Sequence, residues 1–67
     1  MNEFLQINGF SFQGTDASRT FGSDTVTVNT KGQVEEFSTI YKVTVNGQSV
    51  WMTEFSTISA VCEYLHK

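Results

Sequence analysis

The tightest constraint on this chain is one stretch near its end, Tyr41-Lys42-Val43-Thr44-Val45-Asn46-Gly47-Gln48-Ser49-Val50-Trp51-Met52-Thr53. Two alternating segments flank an Asn-Gly pair. Asn-Gly is the favoured centre of a two-residue type I′ hairpin turn, because both of its residues must take positive φ. The register then follows. Val43 opposes Val50 and Tyr41 opposes Met52, which makes one apolar face, while Lys42 opposes Trp51 on the other. A slip of one residue would exchange the faces, so the pattern specifies an antiparallel pair.

The same reasoning applies to Phe4-Leu5-Gln6-Ile7-Asn8-Gly9-Phe10-Ser11-Phe12. As a single strand it places Leu5 and Ile7 on one face and Phe10 and Phe12 on the other. A hairpin turning at Asn8-Gly9 removes the conflict, so two short strands are expected here. Residues 13–24 show no period and are rich in Ser, Thr, Asp and Gly, which favour turns. They are expected to form an irregular loop with at most a helical turn inside Asp16–Phe21, and long loops often carry function. Thr25–Asn29 alternates as a strand. Thr30-Lys31-Gly32 suits a three-residue hairpin loop with Gly32 in the left-handed position, which would set Val28 opposite Val34.

The C-terminal segment reads as a helix over about residues 57–66. Ser56 or Thr57 is a suitable N-cap. Ile58, Val61, Cys62 and Leu65 form one apolar stripe, with Ser59, Glu63 and Lys67 opposite. His66 and Lys67 in the last turn would complement the helix dipole. So short a helix needs a sheet to pack on. The expected fold class is therefore α+β: a small antiparallel sheet of four to five strands, a hairpin meander, packed with one C-terminal helix. At 67 residues the chain, 1–67, makes a single domain. A core of this size is marginal, so a partner or a second copy would supply part of the stability.

An internal repeat runs through this pattern. Val26-Thr27-Val28-Asn29 recurs as Val43-Thr44-Val45-Asn46, and Glu36-Phe37-Ser38-Thr39-Ile40 recurs as Glu54-Phe55-Ser56-Thr57-Ile58. Two copies are too few for a solenoid. A duplicated strand-turn-strand unit with two similar surfaces is the functional interpretation. A local duplication without a role is the simpler one.

Composition narrows the function classes. Six Phe, two Tyr and one Trp can bury enough surface to order the chain. The net charge of -3 is mild and scattered, and Arg19, Lys31, Lys42 and Lys67 are far apart. Nucleic-acid binding usually needs a basic patch, so it is the weakest expectation, although exposed sheet aromatics can stack on single-stranded bases. No signal peptide and no membrane span are visible. Cys62 is the only cysteine, which points to a reducing compartment, so a cytoplasmic location is expected.

Catalytic and cofactor chemistry is not expected. The phosphate-cradling motifs are missing, and Glu35 and Glu36 would point to opposite faces of a strand. Cys62 and His66, four apart on the helix, are neighbours on its surface. Zinc needs three or four ligands, and no other Cys or His could complete the set. Cys62 on the apolar stripe serves adequately as a small hydrophobe.

Four residues stand out as partner contacts. Trp51 is placed opposite its apolar neighbours, and tryptophan is enriched at interface hot spots. Lys42 lies across from it and could cover it by a cation–π contact, or the helix could pack on that face. Arg19 and Phe21, between Gly14 and Gly22, suit a binding loop, or Phe21 plugs the core edge. In size, mild acidity and lack of chemistry, though in no residue motif, the chain resembles the small inhibitor and accessory proteins of phages and mobile elements. The resemblance implies a non-enzymatic protein-binding module that occupies a partner's surface. Self-association through a sheet edge, giving a homodimer or assembly protein, is the alternative.

Overall fold

The computed structural model describes residues 1–66. A five-stranded antiparallel meander carries a helix at each end. The elements are α1 (Asn2–Ile7), β1 (Ser11–Gln13), β2 (Asp16–Phe21), β3 (Asp24–Glu35), β4 (Ser38–Val45), β5 (Gln48–Thr53) and α2 (Glu54–Leu65). The strands lie in the order β1-β2-β3-β4-β5, so each pairs with its neighbour in sequence. This is the expected α+β class, with the sheet followed by a C-terminal helix.

The β4–β5 hairpin has the expected register: Val43 opposite Val50, Tyr41 opposite Met52 and Lys42 opposite Trp51. Asn46 and Gly47 both take positive φ, 51° and 87°, as a type I′ turn requires.

Four expectations are corrected. The first segment is not a hairpin. Residues 2–7 form α1, and Asn8-Gly9 ends that helix. The Gly9 N–H donates to the Gln6 carbonyl and the Phe10 N–H to the Leu5 carbonyl, the two bonds of a Schellman motif. Gly9 has φ 80°, the left-handed position that this motif places after a helix. Leu5 and Phe10, the pair that such a cap brings together, are both buried. The parity conflict is thus resolved by burying two of the four apolar residues, with Ile7 exposed and Phe12 partly so.

Residues 13–24 are not an irregular loop either. Two-residue turns at Gly14-Thr15 and Gly22-Ser23 enclose β2, which pairs along its whole length with β3. Ala17 supplies the one fully buried position of that strand.

Thr30-Lys31-Gly32 does not turn the chain. β3 continues through it, with a register shift between Asn29 and Gln33, and the turn falls at Glu36-Phe37. Val28 therefore opposes Val43, not Val34. Gly32 does adopt a left-handed conformation, φ 70°, but inside a bulge. A Cβ there would lie 2.9 Å from the Thr39 Cγ2 and 3.1 Å from the Tyr41 ring, so glycine is needed for space as well as for backbone angle.

The closing helix starts three residues earlier than expected. Thr53 is its N-cap, with its hydroxyl accepting from the Ser56 N–H at 3.1 Å. Glu54 lies in the first turn, where its charge complements the dipole. His66 is the C-cap, and Lys67 lies outside the described residues. Val61 is fully buried on the expected stripe, with Ile58, Cys62 and Leu65 partly covered. Thr57 is also buried, its hydroxyl donating to the Thr53 carbonyl at 2.8 Å. That bond offsets the cost of burying a hydroxyl.

Both helices cover one face of the sheet. The core consists of Leu5, Phe10, Ala17, Val26, Val28, Val43 and Val61. The other face carries Ser18, Thr20, Thr25, Thr27, Thr44 and Ser49, with Lys42 and Trp51 at its β5 side.

Candidate functional site

The repeat has a structural meaning. The two Val-Thr-Val segments pair with each other: Val26 with Val45, Thr27 with Thr44 and Val28 with Val43. The asparagines that end them do matching work. Asn29 Nδ2 donates to Asp16 Oδ1 at 2.9 Å, and Asn46 Nδ2 donates to Asp24 Oδ1 at 2.8 Å. Each ties a strand to the aspartate that opens the strand before it.

The two Glu-Phe-Ser-Thr-Ile segments take different secondary structures. The first rounds the β3–β4 turn, and the second starts α2. β3 leaves β2 after Thr30, whose N–H and hydroxyl donate to the Thr15 carbonyl, and β4 pairs with β5 from Ile40 onward, so residues 34–39 form a two-stranded arm. The arm and the start of α2 enclose an open groove of about 590 Å³. Val34, Glu36 and Phe37 line it from the arm, and Thr53, Glu54 and Phe55 from the helix.

This groove carries the most exposed apolar surface of the molecule. Val34 is 78% exposed, Phe55 80%, and Phe37 fully so. Three such side chains converging on one depression are unlike the scattered apolar residues of an ordinary surface. The lining holds two carboxylates and no basic side chain. Glu36 also occupies the turn at φ 47°, a conformation that L residues other than Asn and Asp rarely adopt.

The four residues singled out from sequence fall into two pairs on opposite faces. Arg19 and Phe21 belong to β2, on the helix-covered side. The Arg19 guanidinium lies 4.6 Å from the Phe21 ring centroid, and its Nη1 donates to the Asn8 carbonyl at 2.6 Å. Phe21 packs between Phe10, at 6.0 Å, and Tyr64, at 5.4 Å between ring centroids. This pair joins the end of α1 to α2 through β2. Lys42 and Trp51 are cross-strand neighbours on the open face, where Trp51 is 52% exposed. Among the described residues the cation–π contact found is that of Arg19 on Phe21.

Val34, Glu36, Phe37, Glu54 and Phe55 were not singled out by sequence reasoning as contacts. The repeated Glu-Phe was the available signal, and it marks both walls of the groove.

Cys62 is partly buried and His66 exposed at the helix end, linked through the backbone by the His66 N–H and the Cys62 carbonyl. No cluster of three or more metal-ligating side chains occurs among the described residues. No helix among them is long and apolar enough to cross a membrane. No protein-family model, curated protein or solved structure matches the chain.

Proposed function

We propose that this chain is a non-enzymatic protein-binding module that works by occupying a partner protein's surface, with the groove between the β3–β4 arm and α2 as its contact. One observation carries this reading: Val34, Phe37 and Phe55 hold apolar surface in solvent around a single depression whose only charges are carboxylates. Leaving such surface exposed forgoes about 25 cal/mol per Å² of burial, which a docked partner recovers. The partner surface that fits is apolar, flanked by Lys or Arg, because Glu36 and Glu54 would meet it with opposite charge. Within this reading the protein is an inhibitor or accessory factor of the phage and mobile-element type, acting in the cytoplasm.

Capture of a partner by the tagged chain, repeated with Phe37→Ser and with Glu36→Lys/Glu54→Lys, tests the reading. The expected result is a stoichiometric partner lost in the first variant and weakened at least tenfold in the second. Equal capture by all three forms would rule out the groove.

A further inference from the structure

The sheet has two outer strands, and they differ in how they are guarded. β1 is only three residues long. The stretch of β3 beyond Thr30, also open on one side, carries a bulge, Lys31 and Glu35. Short length, bulges and charges are the usual defences against edge-to-edge pairing. β5 has none of them. Gln48-Ser49-Val50-Trp51-Met52-Thr53 is six residues of unbroken strand without a charge, a proline or a bulge.

We propose that β5 pairs antiparallel with β5 of a second copy of this chain, with Trp51 facing Trp51 across the twofold axis. The proposal does not rest on the groove reading, although Thr53 and Phe55 border both surfaces.

The hydrogen-bonding parity of β5 sets the register. In a two-residue hairpin the closing pair, here Val45 and Gln48, exchanges both backbone bonds. Bonded and non-bonded pairs then alternate, so Val50 and Met52 also bond to β4. Ser49 and Trp51 turn their N–H and C=O groups outward, and Thr53 its N–H. Centring the twofold on Trp51 pairs these outward groups with one another: Trp51 with Trp51 and Ser49 with Thr53. In the Ser49–Thr53 pair the Thr53 N–H donates to the Ser49 carbonyl, while the Thr53 carbonyl is occupied within α2, where it accepts the Thr57 hydroxyl and, as the N-cap carbonyl, the first helical N–H.

The side chains agree with that register. On the open face the two half-exposed tryptophans become cross-strand neighbours. On the helix-covered face Val50, 54% exposed, meets Met52 of the other copy. That face is open beside β5, where a depression of about 470 Å³ lies between Met52 and the α2 residues Phe55, Ser59, Ala60 and Glu63. Val50 and Met52 of the second copy would fill it. β5 itself carries no charge, so no like charges meet along the seam. A second copy is favoured over a foreign strand because the edge is complementary to itself in both bonding pattern and apolar residues, as a twofold interface must be.

Sedimentation of the full chain from low micromolar to about millimolar concentration tests the proposal, together with amide hydrogen exchange. The expected result is a concentration-dependent doubling of mass, with the Trp51 and Thr53 amides protected only in the dimer. Trp51→Lys and, separately, Ser49→Lys should raise the dissociation constant at least tenfold while circular dichroism stays unchanged. The first sets two lysines face to face across the axis and the second adds a guarding charge to the edge, both at exposed side chains, so the monomer keeps its fold. A chain monomeric throughout the range, a dimer insensitive to both variants, or Trp51 and Thr53 amides that exchange freely in the dimer would overturn it. So would pairing of β5 only with a foreign protein.

Discussion

Phe37 and Phe55 hold the same place in the two Glu-Phe-Ser-Thr-Ile segments, and they line the same groove, one from the arm and one from the helix. Neither is held by the core. Replacing either with Ser should leave stability within about 0.5 kcal/mol of the parent, as for other exposed positions. Thermal unfolding beside a binding assay checks this. Loss of fold together with loss of binding would show that the phenylalanines are structural.

Glu36 supplies a sharper stability test. Its positive φ costs a residue with a Cβ about 1–2 kcal/mol relative to glycine. Glu36→Gly should stabilise the chain by about 0.5–1 kcal/mol after the added freedom of the unfolded state is counted. For a domain this small, that raises Tm by roughly 2–8 °C. A lowered Tm would mean that the Glu36 side chain stabilises the turn in some other way.

Gly32→Ala is expected to destabilise by about 1–3 kcal/mol, since it combines left-handed backbone strain with a contact to the Thr39 Cγ2. Thr39→Ser removes that methyl group. The double variant Gly32→Ala/Thr39→Ser should therefore lose less than the sum of the two single changes. Additive losses in chemical denaturation would show that the bulge relaxes freely.

Arg19→Ala removes the bond to the Asn8 carbonyl and the contact with Phe21. A cost of about 1–3 kcal/mol is expected from a charge-assisted bond and a cation–π contact together. The loss should concentrate at α1, seen as faster amide exchange of Asn8, Gly9 and Phe10. Arg19→Lys should recover little, because a single ammonium lacks the planar guanidinium that both stacks and donates. Uniform loosening of the sheet instead would place the role of Arg19 elsewhere.

The parts of the fold that were legible in the sequence are those in which side-chain alternation and turn chemistry agree. Asn46-Gly47 lies between alternating segments of equal parity, and its whole register follows from that. Asn8-Gly9 carries the same dipeptide signal, but a left-handed glycine serves a helix C-terminus as well as a hairpin. Only the burial of Leu5 against Phe10 decides between them. Gly32 shows the same ambiguity: positive φ was foreseeable, but whether it bends the chain or bulges a strand depends on the neighbouring strand. β2 escaped notice because Asp16-Ala17-Ser18-Arg19-Thr20-Phe21 has little apolar alternation, and pairing with β3 organises it. The groove was hidden for a related reason. Glu36-Phe37 is not a turn dipeptide by composition, so nothing local marks Phe37 as a tip rather than a core residue.

The meander order has a kinetic consequence. The two-residue turns Gly14-Thr15, Gly22-Ser23, Glu36-Phe37 and Asn46-Gly47 connect all five strands. Loops this short cost little entropy to close, and chains rich in local contacts fold fast. Nucleation can therefore begin at any of the four turns and spread by zippering. Docking of α2 is different in kind. It brings Val61 into the cluster with Leu5, and Tyr64 against Phe21, across most of the chain. That single long-range closure converts a row of separately fraying hairpins into one cooperative unit.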